Sequence, residues 1–168
     1  MATITFKGNP VNTAGNLPSV GSKLPAFTLT DTSLKDIKSS DFTGKYLVLN
    51  IFPSIDTGVC AASVRAFNER VASMDNIAVI CVSKDLPFAH KRFCGSEGIE
   101  HVVGASDFRY PEFGTLYGVT MTDGPLAGLL SRAVIVADPE GTVIYTEQVP
   151  EIAREPDYDA AMRAISGQ

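Results

Sequence analysis

Apolar residues gather along this chain in short dense runs separated by polar turns. Residues 46–52 and 77–82 are almost continuously apolar, the pattern of strands buried on both faces. Between them Ala61, Val64, Phe67, Val71 and Met74 recur at helical spacing, with Arg65, Asn68, Glu69 and Arg70 in the gaps. Residues 87–94 open on Pro87 and are followed by Gly95, which predicts a short helix. Val102-Val103 predicts a short edge strand, and residues 111–117 predict one or two helical turns. Residues 133–137 form another strand-like run, followed by the turn Asp138-Pro139-Glu140-Gly141 and a partner strand over 142–145. Residues 156–165 close the chain as a helix. At the other end, 27–30 predict a short strand, and the first 25 residues, rich in Gly, Pro and Asn, predict a hairpin or extended lead-in.

Strands alternate with helices first, and a hairpin and helix follow. That order predicts an α/β protein of thioredoxin-like fold, a central mixed β-sheet flanked by helices, with an N-terminal β-hairpin extension. The 168 residues suit one domain over 1–168, with 1–25 as the extension. A hydrophobic content of 45% with 20% charged residues argues against disorder. The net charge of −5 and the lack of a basic patch argue against nucleic acid as a partner. No apolar stretch approaches the roughly 20 residues of a spanning helix, and residues 1–8 carry no signal-like apolar core, so no membrane partner and a cytoplasmic location are expected.

The candidate chemistry sits where the first buried strand meets the first helix. There Pro53-Ser54-Ile55-Asp56-Thr57-Gly58-Val59-Cys60 places a thiol near a helix start, a hydroxyl three residues before it and a rigid proline four residues earlier still. A helix N-terminus favours negative charge, which suits a nucleophilic thiol. The other cysteines, Cys81 and Cys94, form no C-x-x-C pair and no zinc spacing with it. Cys81 lies in an apolar strand and reads as a buried, inert thiol. Cys94 taken alone reads equally as a redox partner or a packing residue. Thr57 suits a helix N-cap, a role compatible with chemistry. Arg132 by position alone reads as an ordinary surface or ion-paired arginine. His90 and His101 read as surface residues, and Phe88 and Phe93 as core.

The set Pro53, Thr57, Cys60 resembles the peroxiredoxin active-site pattern P-x-x-x-T/S-x-x-C. The stretch 50–65 resembles the bacterial thiol peroxidase subfamily, atypical 2-Cys peroxiredoxins. So do Asp85-Leu86-Pro87-Phe88-Ala89, Arg92-Phe93-Cys94-Gly95, Gly124-Pro125-Leu126 and Glu155-Pro156-Asp157-Tyr158. The resemblance implies that Cys60 is the peroxidatic cysteine, oxidised by a hydroperoxide to a sulfenic acid. It implies that Cys94 of the same chain resolves it as a Cys60–Cys94 disulfide and that thioredoxin reduces that disulfide. It further implies no metal or organic cofactor, Arg132 as the active-site arginine, a homodimer, and hydrogen peroxide and organic hydroperoxides as substrates.

Ionisation alone cannot make a fast peroxidase. Lowering a thiol's pKa raises its thiolate fraction but lowers its nucleophilicity, with a slope of ~0.4–0.5. The larger effect must come from donors aimed at the oxygens as negative charge moves onto the leaving one. Arg132, the Thr57 hydroxyl and backbone N–H groups near Cys60 are the candidates, and Pro53 is assigned to shielding the sulfur from water. A disulfide needs Cα atoms within about 7 Å, so with the two thiols on separate helices the segment 88–98 is expected to unwind locally, an expectation motivated by Pro87 and Gly95, which weaken helix continuity near its ends. Two further readings stay open: a thiol–disulfide exchange protein and a peroxide sensor on the same fold without significant turnover. A cysteine phosphatase fits poorly, because Arg65 comes five residues after Cys60 where such a loop needs six, and no glycine-rich cradle lies between them.

Overall fold

The computed structural model describes residues 1–167; Gln168, the last residue of the expected domain, lies outside the described residues. Strands β1 (Thr3–Phe6) and β2 (Asn9–Asn12) form the N-terminal hairpin. The main sheet contains β3 (Thr28–Asp31), β4 (Asp36–Lys38), β5 (Tyr46–Ile51), β6 (Ile77–Ser83), β7 (Val103–Ser106), β8 (Ala133–Ala137) and β9 (Val143–Gln148). Their spatial order is β4-β3-β7-β6-β5-β8-β9. The centre, β7-β6-β5, is parallel, and the outer pairs are antiparallel. Helices α1 (Gly58–Val71), α2 (Pro87–Glu97), α3 (Glu112–Leu116) and α4 (Tyr158–Ser166) join and cover it. This is the mixed-sheet, thioredoxin-like architecture with a hairpin extension that the element order predicts.

The alternation of side chains along a strand divides the core. Leu47, Leu49 and Ile51 of β5 face one side with Phe27, Phe113 and Tyr117. Val48 faces the other with Phe52, Cys60, Val64, Phe67 and Cys81. A third, smaller cluster of Ile4, Val11, Met121 and Ile152 lies under the hairpin. Both faces of β5 are thus covered, which is why its sequence is almost wholly apolar.

Four local expectations change. Strand β7 is not an edge, because β3 pairs along its outer side and β6 along its inner one. Helix α2 does not stop at Gly95 but runs to Glu97 and ends at Gly98, whose φ of +65° is the left-handed geometry that glycine adopts without a Cβ clash. Met74 falls beyond α1, which ends at Val71, and is exposed. Phe88, expected in the core, is 64% exposed, whereas Phe93 packs against the α1-side cluster.

Candidate active site

Strand β5 delivers the site. Phe52 N–H still donates to Val82 O at 3.1 Å, and then Pro53, with no N–H to offer, takes the chain out of the sheet. The loop that follows is held by one carboxylate. Asp85 accepts from Ser54 Oγ at 2.8 Å and from Ile55 N–H at 2.7 Å. Thr57 then occupies the N-cap of α1, with extended backbone. Cys60 is the third helical residue, so its N–H belongs to the first turn, where donors have no intrahelical acceptor.

Cys60 is fully buried, at 0% exposure. Arg132, the residue before β8, is 2% exposed and donates from Nη2 to Cys60 Sγ at 3.4 Å. Its Nε donates to Ile152 O at 2.8 Å. Its Nη1, also buried, has no hydrogen-bond partner among the described residues. No carboxylate forms an ion pair with this guanidinium among the described residues. A buried charge normally demands compensation. Here the group it faces is a sulfur, and one N–H fork remains free for an oxygen.

A cavity of about 220 Å³ opens beside Arg132. Its wall is mostly apolar, with Phe6 from the hairpin, Val59, Leu126, Leu129 and Ile152. Pro53 and Thr57 also line it. Water occupies about 30 Å³, so the space exceeds what two bonded oxygens fill and accepts an apolar tail as well. The hairpin wall is fastened by Glu151, whose carboxylate accepts from Gly8 N–H at 2.9 Å, Thr5 Oγ at 3.1 Å and Ala153 N–H at 2.8 Å. The bond from Ala153 and then that from Gly8 hold its pKa down at about 2.

The structure therefore brings Pro53, Thr57, Cys60 and Arg132 together, but Thr57 differs in detail from expectation. Its hydroxyl makes no capping hydrogen bond to the helix; it donates to Ser54 O at 2.9 Å. With its proton committed there, the oxygen offers lone pairs rather than a donor. Cys94 lies on α2, half-buried and free, and burial pushes its thiol pKa up. Cys81 is free and buried in β6, and burial pushes its thiol up to about 12, in keeping with an inert role. Arg65 pairs with Glu97 of α2 and does not line the cavity, which removes it from any phosphate-loop role.

His90 overturns its expected surface position: it is 1% exposed, whereas His101 is exposed. Its Nε2 lies 2.9 Å from Ser83 Oγ. Residue counting placed it on a short helix but did not show that this helix presents the ring inward. Three further groups escaped the sequence reading. Asp85 anchors the loop. Asn50 donates to Ser63 Oγ at 3.1 Å, and Ser63 donates to Cys60 O at 2.7 Å, bracing the cysteine from below. Ile152 contributes its carbonyl to Arg132 as well as its side chain to the cavity wall. Asn50, a polar residue in an apolar strand, carried a visible signal; a main-chain carbonyl carries none. Among the described residues, no three His, Cys, Asp or Glu side chains gather in a metal-holding group.

Comparison with known proteins agrees with this geometry. The Redoxin family model matches residues 19–162. The thiol peroxidase of Mycobacterium tuberculosis is 60% identical over 165 residues, covering 98% of this chain and 99% of that protein. The thiol peroxidase of Corynebacterium glutamicum is 55% identical, covering 99% of this chain and 100% of that one. The crystal structure of a peroxiredoxin-like protein from Aquifex aeolicus superposes with a TM-score of 0.92 at 40% identity, covering 99% and 97% of the two chains. With a buried thiol beside a buried arginine in this fold, and relatives of this identity over nearly its whole length, the chain belongs to the thiol peroxidases, a peroxiredoxin branch of the Redoxin family.

Proposed function

We propose that Cys60 is the peroxidatic cysteine, Cys94 the resolving cysteine, and Arg132, Thr57 and Pro53 the groups that shape the first step. The chain is a peroxidase of the peroxiredoxin type and reduces peroxides. The observation that carries the assignment of residues is the Arg132 Nη2 contact with Cys60 Sγ at 3.4 Å beside an apolar cavity.

In the first step the Cys60 thiolate attacks the terminal oxygen of a hydroperoxide. The S–O bond forms, the O–O bond breaks, and the electron pair leaves on the alkoxide or hydroxide oxygen, which takes a proton. Cys60 becomes a sulfenic acid. Arg132 Nη1 and Nη2 face the oxygens as charge moves onto them, and the planar fork suits two adjacent oxygens better than an ammonium does. The Thr57 oxygen, its proton held by Ser54 O, accepts from the O–H of the attacked oxygen and orients it. The wall of Phe6, Leu126, Leu129 and Ile152 suits an alkyl hydroperoxide alongside hydrogen peroxide.

In the second step the Cys94 thiol condenses with the sulfenic acid, releasing water and forming the Cys60–Cys94 disulfide. A disulfide needs Cα atoms within about 7 Å, and the Cys60 sulfur is enclosed, so α2 opens for Cys94 to arrive. Thioredoxin as the reductant and a homodimer follow from the resemblance; a cytoplasmic location is the expectation drawn from the sequence. No helix is long and apolar enough to cross a membrane among the described residues. The deciding experiment is mass spectrometry after one equivalent of peroxide, mapping the joined sulfurs, together with peroxide consumption coupled to thioredoxin and its reductase. A Cys60–Cys94 linkage and turnover abolished in Cys60→Ser are expected. A single stoichiometric oxidation without turnover would instead favour a sensor.

A further inference from the structure

We propose that His90 is a positioning residue that latches the helix carrying Cys94 to the loop carrying the Cys60 site, through Ser83 and Asp85. The inference rests on Cys94 being the resolving thiol. Among the residues of α2 only Pro87 and His90 are buried. Ala89 and Phe93 add half-buried apolar contacts, but the innermost side chain beyond the opening proline is an imidazole, so the docking of this helix has a polar anchor.

His90 and Cys94 are four residues apart and so share one helix face. His90 Nε2 lies 2.9 Å from Ser83 Oγ at the end of β6. Ser83 Oγ donates to the Asp85 carboxylate at 2.5 Å and accepts from Asp85 N–H at 3.2 Å. A serine hydroxyl has one proton. With that proton on Asp85, the imidazole must be the donor, as the Nε2–H tautomer. The same Asp85 carboxylate holds Ser54 Oγ and Ile55 N–H. A continuous chain of hydrogen bonds thus runs from α2 to the loop ahead of Cys60. Strand β7 seats the ring: a Cβ on Gly104 would lie 2.9 Å from His90 Nδ1. The remaining polar ties of α2 to that side, Arg92–Asp56 and Arg65–Glu97, are exposed pairs, which contribute little.

Unwinding α2 moves His90 from this slot into water. In the slot, burial pushes its pKa down to about 4; in water an imidazole returns to ~6.5. The charged groups facing it are Asp85 and Asp56, both of which oppose the lowering. Strand β7 presents Gly104, and the Phe52 ring lies 6.2 Å away, centroid to centroid, neither carrying charge. Lys91 and Arg92 on its own helix are exposed. A histidine depressed in the folded form stabilises docking fully above its free pKa, and that stability is lost as pH falls toward the folded value. Opening of α2 therefore becomes about tenfold more favourable between pH 7.5 and pH 5.5.

The test is amide hydrogen exchange of the reduced full chain, read by mass spectrometry over 87–98 and referenced to intrinsic exchange rates. Protection of this segment is expected to fall about tenfold from pH 7.5 to pH 5.5, while α1 stays protected. His90→Gln, which keeps an amide donor but does not titrate, should abolish the pH dependence. His90→Phe should lower protection at both pH values and reduce the fraction of Cys60 oxidised to sulfinic acid by a second peroxide. Protection independent of pH in the unmodified chain overturns the latch, as does a pH dependence that survives in His90→Gln. Should either variant fail to fold, the comparison on the unmodified chain alone decides. Cys94→Ser separates the two readings: unchanged over-oxidation there removes Cys94 from the mechanism, whereas the exchange result depends only on His90.

Discussion

Helices α1 and α2 each carry one of the two cysteines proposed to react, yet they are held in opposite ways. Of the 14 residues of α1, six are buried: Cys60, Ala61, Ser63, Val64, Phe67 and Val71. Of the 11 of α2, two are. The first helix is nailed into the core cluster that contains Val48, Phe52 and Cys81. The second rests on a histidine, a proline, the half-buried Ala89 and Phe93, and exposed ion pairs. The difference matches the two halves of the proposed chemistry. A nucleophile that must meet a peroxide under fixed donors gains from immobility, because preorganised donors need no rearrangement as charge develops. A thiol that must travel to a buried sulfur gains from a helix that opens at low cost, and regions with few buried apolar contacts are the ones that open.

The contrast can be broken at several points. The largest effect is expected from Cys94→Ser on the α2 side: thioredoxin-driven turnover should vanish while the first oxidation of Cys60 keeps its rate, as single-turnover and steady-state assays would show. On the rigid side, Arg132→Lys should slow the first oxidation about 10²–10³-fold, measured by stopped-flow at a pH where the thiolate is fully formed. A loss that disappears at high pH would mean the guanidinium acts only on ionisation. Next comes a paired stability measurement. Phe67→Ala in α1 removes a fully buried ring that meets Tyr158 edge-on at 5.2 Å. It should cost about 3–5 kcal/mol in denaturant unfolding. Phe88→Ala in α2 touches an exposed ring and should stay within about 0.5 kcal/mol. Equal costs would erase the distinction between the helices. The smallest effect concerns the cavity wall. Glu151→Ala frees the hairpin that carries Phe6, and should raise KM for a bulky alkyl hydroperoxide several-fold while leaving hydrogen peroxide reduction nearly unchanged.

The same contrast explains why some elements were easier to read than others. Strands β5, β6 and β8 were legible because burial on both faces leaves a sequence signature of unbroken apolar residues. Helix α1 was legible from its repeat of apolar positions, and the octapeptide ending at Cys60 was legible because a proline, a hydroxyl and a thiol in that order are rare together. Helix α2 was misjudged in detail because it has little apolar periodicity, so neither its end at Gly98 nor the inward direction of His90 and outward direction of Phe88 is written in its pattern. Strand β7 was misplaced because Val102-Val103 is short, and its neighbours come from β3 and β6, distant in the chain.

Taken alone, the order of residues determined the alternation of strands and helices and the family, since these depend on local periodicity and on motifs of residues close in the chain. Folding in three dimensions decided that Arg132, 72 positions from Cys60, donates to its sulfur, that the Thr57 hydroxyl turns to Ser54 O, and that Asp85 ties both the Cys60 loop and the His90 slot together. A hydrogen bond acts over about 3 Å, and which distant groups come that close is set by packing of the whole sheet and its helices, not by their separation along the chain.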